Sequence, residues 1–249
     1  ETECDNLRTA LEWALAGEGE RAALGLDLAG KLELFWQMGS HHWAEGYRWL
    51  MAALEKTDGQ DPNNGVSASM RAKALRAAGN MLVCILQFEQ AAPLFQRSLD
   101  LYQELDDKDG IADALCWLGR HAFRQKDYDE ATRLLEQSLA WYREANDQYG
   151  VSMALRNLGD CARLLKDYDR ANRLYEQGLA LSRNIGNKQG ASNVFNSLGE
   201  LARLRGNLQR AKAFCEEDLS LGRELGSEFS QANALHNLGH TTLGLGDSE

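Results

Sequence analysis

The dipeptide Leu118-Gly119 returns as Leu158-Gly159, Leu198-Gly199 and Leu238-Gly239, at intervals of 40 residues. Ala91, Ala131, Ala171 and Ala211 keep the same spacing, and so do Leu99, Leu139, Leu179 and Leu219. Asp127-Tyr128-Asp129 comes back as Asp167-Tyr168-Asp169 and, less faithfully, as Asn207-Leu208-Gln209. A fixed period of this length restricts the chain to architectures in which one small unit stacks on copies of itself. Gly110, Gly150 and Gly190, with Ser230 in the fourth place, are expected to mark the joints between units.

Each unit reads as two antiparallel helices. In the first, Leu115, Leu118 and Ala122 fall at i, i+3 and i+7, and Leu155, Leu158 and Ala162 repeat them. In the second, Ala131, Leu135 and Leu139 fall at i, i+4 and i+8, followed one unit later by Ala171, Tyr175 and Leu179. Composition agrees: Val and Ile together supply seven residues against 40 Leu, too few β-branched side chains to fill the pleats of a sheet. Asp127 and Asp167 are placed to cap the second helices. Pro93, one of only two prolines, falls about one turn into a second helix, where it removes an amide hydrogen bond. The expected fold is all-α, a right-handed α-solenoid of antiparallel pairs with about twelve helices.

Two regions follow. Residues 65–249 carry the repeats, at about 70–109, 110–149, 150–189 and 190–229, with a truncated unit at 230–249. Residues 1–64 form a degenerate helical segment with one divergent repeat, in which Trp43, Gly46, Leu50 and Leu54 fit a second helix. The polar run 59–65 accounts for the extra spacing between Gly46 and Ala91. Glu1 stands where a Met would start a full chain, so the sequence is expected to be an excised fragment.

Leu118-Gly119, Tyr128 and Ala131 resemble the tetratricopeptide (TPR) repeat pattern. The unit here is six residues longer than the usual 34, and Arg143 and Arg183 stand near where the family carries a proline. It is more similar to the longer-helix subclass of kinesin light chains and the maltose-responsive bacterial transcription activator. The N-terminal sequence adds a second resemblance. Asp5-Asn6-Leu7-Arg8, Ala10-Leu11 and Trp13, then Phe35-Trp36 and Gly39, then Glu45-Gly46 and Trp49-Leu50 look like the segment preceding such repeats in bacterial signal-transduction (STAND-type) ATPases. That resemblance implies the sensor or arm of a larger signalling or transcription regulator.

The residues themselves exclude several functions. Net charge −10 argues against a duplex-binding surface, which needs a basic stripe to displace phosphate counterions. No apolar run reaches the ~18–20 residues needed to span a bilayer, and no leader is visible, so a cytoplasmic location without membrane contact is expected. Cys4, Cys84, Cys116, Cys161 and Cys215 are dispersed and lack a CxxC pair, which points to reduced thiols and no zinc site. No phosphate-binding loop occurs, and Gly17-Glu18-Gly19 has no strand before it. His236 and His240 share a helix face, but Asn237 stands where a zinc protease needs its glutamate. His41 and His42 are expected to face solvent at a joint. Neither catalysis nor a cofactor is expected.

The sharper signal lies on first helices, which line the concave face of such a solenoid. The exposed stripe there holds Arg76 and Asn80; Cys116, Arg120, Phe123 and Arg124; Arg156, Asp160 and Arg163; Asn196, Glu200 and Arg203; then His236 and His240. Guanidinium forks suit carboxylate or phosphate, so the expected partner is a protein or peptide, acidic in character, or a small anionic ligand. The alternatives are internal pairing of Asp160 and Glu200 with those arginines, or an arm that stacks copies of the parent. For the latter, Leu235, Leu238 and Leu245 near the C-terminal end should form an uncovered apolar edge, frayed or capped by another copy. The packing scheme itself makes a testable demand. Ala171→Leu should overpack the helix pair and cost about 1–3 kcal/mol, seen as a lower midpoint in circular dichroism melts.

Overall fold

The computed structural model describes residues 2–37, 42–58 and 65–246. Among them are thirteen helices and no strand: α1 (Thr2–Leu15), α2 (Glu20–Lys31), α3 (Glu33–Gln37), α4 (Trp43–Lys56), α5 (Ala68–Cys84), α6 (Phe88–Glu104), α7 (Lys108–Arg124), α8 (Tyr128–Glu144), α9 (Gln148–Leu164), α10 (Tyr168–Asn184), α11 (Lys188–Leu204), α12 (Leu208–Glu224) and α13 (Glu228–Leu245). The short α3 accounts for the one beyond the expected twelve. No helix among the described residues is long and apolar enough to cross a membrane. The chain divides into two compact units, Glu1–His121 and Ala122–Glu249. The expected loop before Gly65, and His41, lie outside the described residues.

The backbone has a shorter period than the sequence. Helices α5 to α12 are each 17 residues long. Between them stands a left-handed residue every 20 positions: Leu86, Asp106, Lys126, Asn146, Lys166, Gly186, Gly206 and Gly226. Each closes its helix in the same way. At the first joint the N–H of Leu86 donates to the Val83 carbonyl and that of Gln87 to Leu82, the paired bonds of a Schellman turn. The residue after the left-handed one then opens the following helix. Asp127, Asp147, Asp167, Asn187 and Asn207 all accept a backbone N–H through their side chains, as the sequence predicts for Asp127 and Asp167. Gln87 makes no such cap, and Pro93 lies inside the helix it opens.

Gly110, Gly150 and Gly190 are not at the joints. Each is the third residue of a helix, and the first two are there to make room. A Cβ on Gly150 would lie 2.2 Å from the Tyr142 ring, and one on Gly110 equally close to Tyr102. Farther along, the bulk is redistributed: Ser182 faces Gly190, and Gly222 faces Ser230. The Leu-Gly glycines likewise admit a side chain as well as a close helix. A Cβ on Gly159 would meet Tyr175 at 2.4 Å, and one on Gly79 would meet Phe95 at 2.7 Å.

In the first unit, Leu11, Leu26, Trp36, Leu50, Leu75, Met81 and Phe95 share one core, and Trp117 stacks on Phe95 at 5.4 Å. Arg8 ties α1 to α4 through two bonds to Glu45, at 2.6 and 2.9 Å. The Arg8 hydrogen bond holds the Glu45 carboxyl down at about 2. His42 does not simply face water: its ring stacks on Phe35 at 5.9 Å, and Nδ1 lies 3.6 Å from Glu45. The second unit is centred on Ala162, Ala171, Tyr175, Phe195, Leu198 and Leu201. At its far end α13 runs to Leu245 and is closed by Gly246 in the left-handed conformation. Leu235 is exposed as expected and Leu243 joins it, whereas Leu238 and Leu245 are half-buried.

Leu86 is an exposed leucine in a conformation that costs an L-residue about 1–2 kcal/mol. Leu86→Gly relieves this while loosening the unfolded chain, for a net gain of about 0.5–1 kcal/mol. The expected outcome is a higher thermal midpoint, followed by circular dichroism.

Candidate functional site

The second unit contains a groove of about 270 Å³ whose wall comes almost entirely from first helices. Arg156, Asp160 and Arg163 enter from α9, and Ser192, Asn193, Asn196, Ser197 and Glu200 from α11. Phe229, Ser230 and Asn233 of α13 close the far side, Phe123 of α7 the near one, and Asp218 of α12 reaches in between the first helices. The helical period explains the arrangement. Residues three or four apart share a face, so Asn193, Asn196 and Glu200 form one row, and Arg156, Asp160 and Arg163 another.

The arginines in this groove are already bonded. Arg156 donates to Asp160 at 3.1 Å and to the side-chain oxygen of Asn157 at 2.7 Å. Arg163 donates to Glu200 at 3.0 Å, across to the next first helix. Asp160 is the hub. It also accepts from the Tyr175 hydroxyl at 2.7 Å and from Ser197 at 3.3 Å. Burial, together with the Asp160 charge, pushes the Tyr175 hydroxyl far above its usual range, so it stays protonated, donating to the Asp160 carboxylate while its oxygen accepts from Arg163.

Asp218 is held differently. It is 2% exposed and accepts from the Ser192 hydroxyl and the Asn196 amide, both neutral groups. Burial pushes its carboxyl above the usual carboxylate range, and those two hydrogen bonds only partly oppose the shift.

Of the residues expected to bind, the groove brings together Arg156, Arg163 and Asn196. Arg124, Arg203, His236 and His240 lie in the same unit but not in its lining. The two histidine rings meet edge to face, 4.6 Å apart. Arg76, Asn80 and Arg120 belong to the first unit. There Arg76 donates to Glu33 at 2.8 Å, Asn80 donates to the same carboxylate at 2.6 Å, and Arg120 lies over the Trp117 ring. Arg76 also lines a cavity of about 420 Å³ with Lys31, Lys73, Tyr102 and Asp113. Among the described residues no cluster of three or more His, Cys, Asp or Glu could hold a metal. Cys161 and Cys215 are buried free thiols, and burial raises Cys161 to about 11.

Sequence reasoning missed Asn193 and Asn233, which share one place in the repeat register, and it missed Asp218. The signal for Asp218 was present. Positions 98, 138, 178 and 218 hold Ser, Ser, Gly and Asp, so a carboxylate stands where the other units keep a small neutral residue.

The tetratricopeptide repeat family model matches residues 110–184. No curated protein matches the sequence. Solved structures match its fold. A Rap protein complexed with Competence and Sporulation Factor has a TM-score of 0.76 at 15% identity, over 98% of this chain and 69% of that one. The Rap conjugation gene regulator of the plasmid pLS20, in complex with the Phr* peptide, has a TM-score of 0.71 at 13% identity, over 90% and 63%. A STAND ATPase with a tetratricopeptide repeat sensor from Pyrococcus horikoshii has a TM-score of 0.64 at 11% identity, over 87% of this chain but only 34% of its own. The fold is thus a tetratricopeptide-like α-solenoid of helix pairs, and the chain spans about a third of that STAND protein.

Asp218 gives the site a pH signature. A folded-state value raised above the unfolded value near 3.8 means that the folded protein holds this proton more tightly. Ionised Asp218 therefore costs stability, increasingly as pH rises from the unfolded value through the folded one. Asp218→Asn should raise the urea midpoint at neutral pH, with the gain shrinking toward zero below about pH 4.

Proposed function

We propose that the chain is a non-catalytic sensor module of a larger, cytoplasmic bacterial signalling or transcription regulator, and that it binds an extended peptide or protein segment in the groove of its second unit. The observation that carries this is the lining. Asn193, Asn196 and Asn233 supply side-chain amides from two successive first helices, with Ser197 beside them. An amide side chain both donates and accepts, which matches the alternating donors and acceptors of a peptide backbone. The likeness to a Rap regulator in complex with the Phr* peptide supports the same reading, as does the likeness to a STAND ATPase carrying such repeats as its sensor.

A preference for acidic or anionic ligands has less support than backbone recognition. Such a ligand would have to take Arg156 from Asp160 and Arg163 from Glu200, both within 3.1 Å. The competing reading, an arm that stacks copies of the parent through its C-terminal end, draws on the exposed Leu235 and Leu243 of α13.

Selection of a displayed random-peptide library against the whole chain tests the proposal. Peptides should be enriched over a control surface, and the Asn193→Ala/Asn233→Ala double variant should lose about tenfold or more in affinity for them, with an unchanged melting midpoint. A library without enriched sequences, or equal binding by the double variant, would refute it.

A further inference from the structure

We propose that Asp218 makes the groove of the second unit a receptor for a cationic group, either a lysine or arginine side chain or the free N-terminal ammonium of the bound segment. The inference rests on the peptide-binding reading above and gives that ligand a chemistry.

The repeat register isolates the residue. At the corresponding place in the first unit, Ser98 donates its hydroxyl to the Ala72 carbonyl at 2.8 Å. One pair before Asp218 the geometry is reversed, and Ser152 donates to the Gly178 carbonyl at 3.2 Å. Both solutions satisfy the helix contact with neutral groups. At 218 the contact is again made, by Ser192, but onto a carboxylate that is 2% exposed. Positions 98 and 138 in the same register hold serine, which places no charge there.

That charge has no cation of its own. Its two protein partners, Ser192 and Asn196, are neutral, and no Lys, Arg or His among the described residues forms an ion pair with it. The arginines of the groove are committed to Asp160 and Glu200. Three carboxylates therefore line the groove against two guanidinium groups, and the surplus one is the most buried. An unpaired buried carboxylate is costly, and a counter-charge brought in by a ligand removes that cost.

The surroundings suit an ammonium or guanidinium. Ser197, Ser230 and Asn233 offer oxygen acceptors along the same lining. Phe229, on the same wall, is 76% exposed and presents an aromatic face, to which a cation is attracted. Arginine-rich as the sequence stripe is, the pocket at its centre has the opposite preference.

The test compares wild type with Asp218→Asn and Asp218→Ser, the latter restoring the residue found at 98 and 138. A displayed random library with free N-termini is selected against the whole wild-type chain. Enriched peptides are then resynthesised with each Lys or Arg replaced by norleucine, and separately with the N-terminus acetylated. Loss of about tenfold or more on one of these changes is expected in wild type, and which change causes it tells a side chain from a terminus. In both variants the same change should cost little, while peptides lacking the cation bind as they do to wild type. Enrichment without dependence on any cation, or an undiminished penalty in both variants, overturns the inference and leaves peptide binding standing. Failure to enrich any peptide overturns the reading beneath it, and this inference with it.

Discussion

Most joints in the repeat region turn on one residue that does two things. Asp167 shows it fully: its N–H donates to the Ala162 carbonyl and ends α9, while its carboxylate accepts the Arg170 N–H and starts α10. Both helices would otherwise leave backbone groups unsatisfied at their ends. With one residue serving both ends, the connection is three residues long. So short a link holds neighbouring helices antiparallel and in register. The lengths of the helices, the faces they bury and the alignment of their first-helix side chains all follow from this.

With register fixed, equivalent positions meet equivalent neighbours, and any departure from the pattern becomes meaningful. The core mostly shows exchanges that preserve the contact. Ser98 reaches a carbonyl on the facing helix, and Ser152 reaches one from the opposite side. Asp218 is of another kind, because it puts a buried carboxylate where the other repeats keep Ser or Gly. Arg163 and Glu200 show register at work between neighbouring first helices, pairing α9 with α11 across 37 residues of sequence.

How much could be read from the chain varied with where the information sits. Helix pairs and their capping aspartates were legible, because apolar spacing and Asp or Asn at a turn act locally. The 20-residue backbone period was not. Its left-handed position is filled by Leu, Asp, Lys, Asn and Gly in turn, so no residue type marks it. Gly110 and Gly150 were misplaced for a related reason: glycine signals both a helix break and a close approach, and only the Tyr102 and Tyr142 rings decide between them. In the groove, Arg156, Arg163 and Asn196 were legible from the stripe of first helices. Asp218 was not, because it belongs to a second helix, whose inward face reads as packing.

The redistribution of bulk at the helix ends also bears on how such a chain can grow. Tyr142 fits only against Gly150, whereas Gly222 tolerates Ser230. Each boundary thus carries its own matched lock, formed by residues from two consecutive repeats. A duplicated or transplanted repeat would bring one half of a lock without the other, for example Tyr142 against a side chain in the place of Ser230. Units of this chain are therefore not interchangeable beads. Inheritance acts on neighbouring pairs, and the order of repeats is written into their contacts.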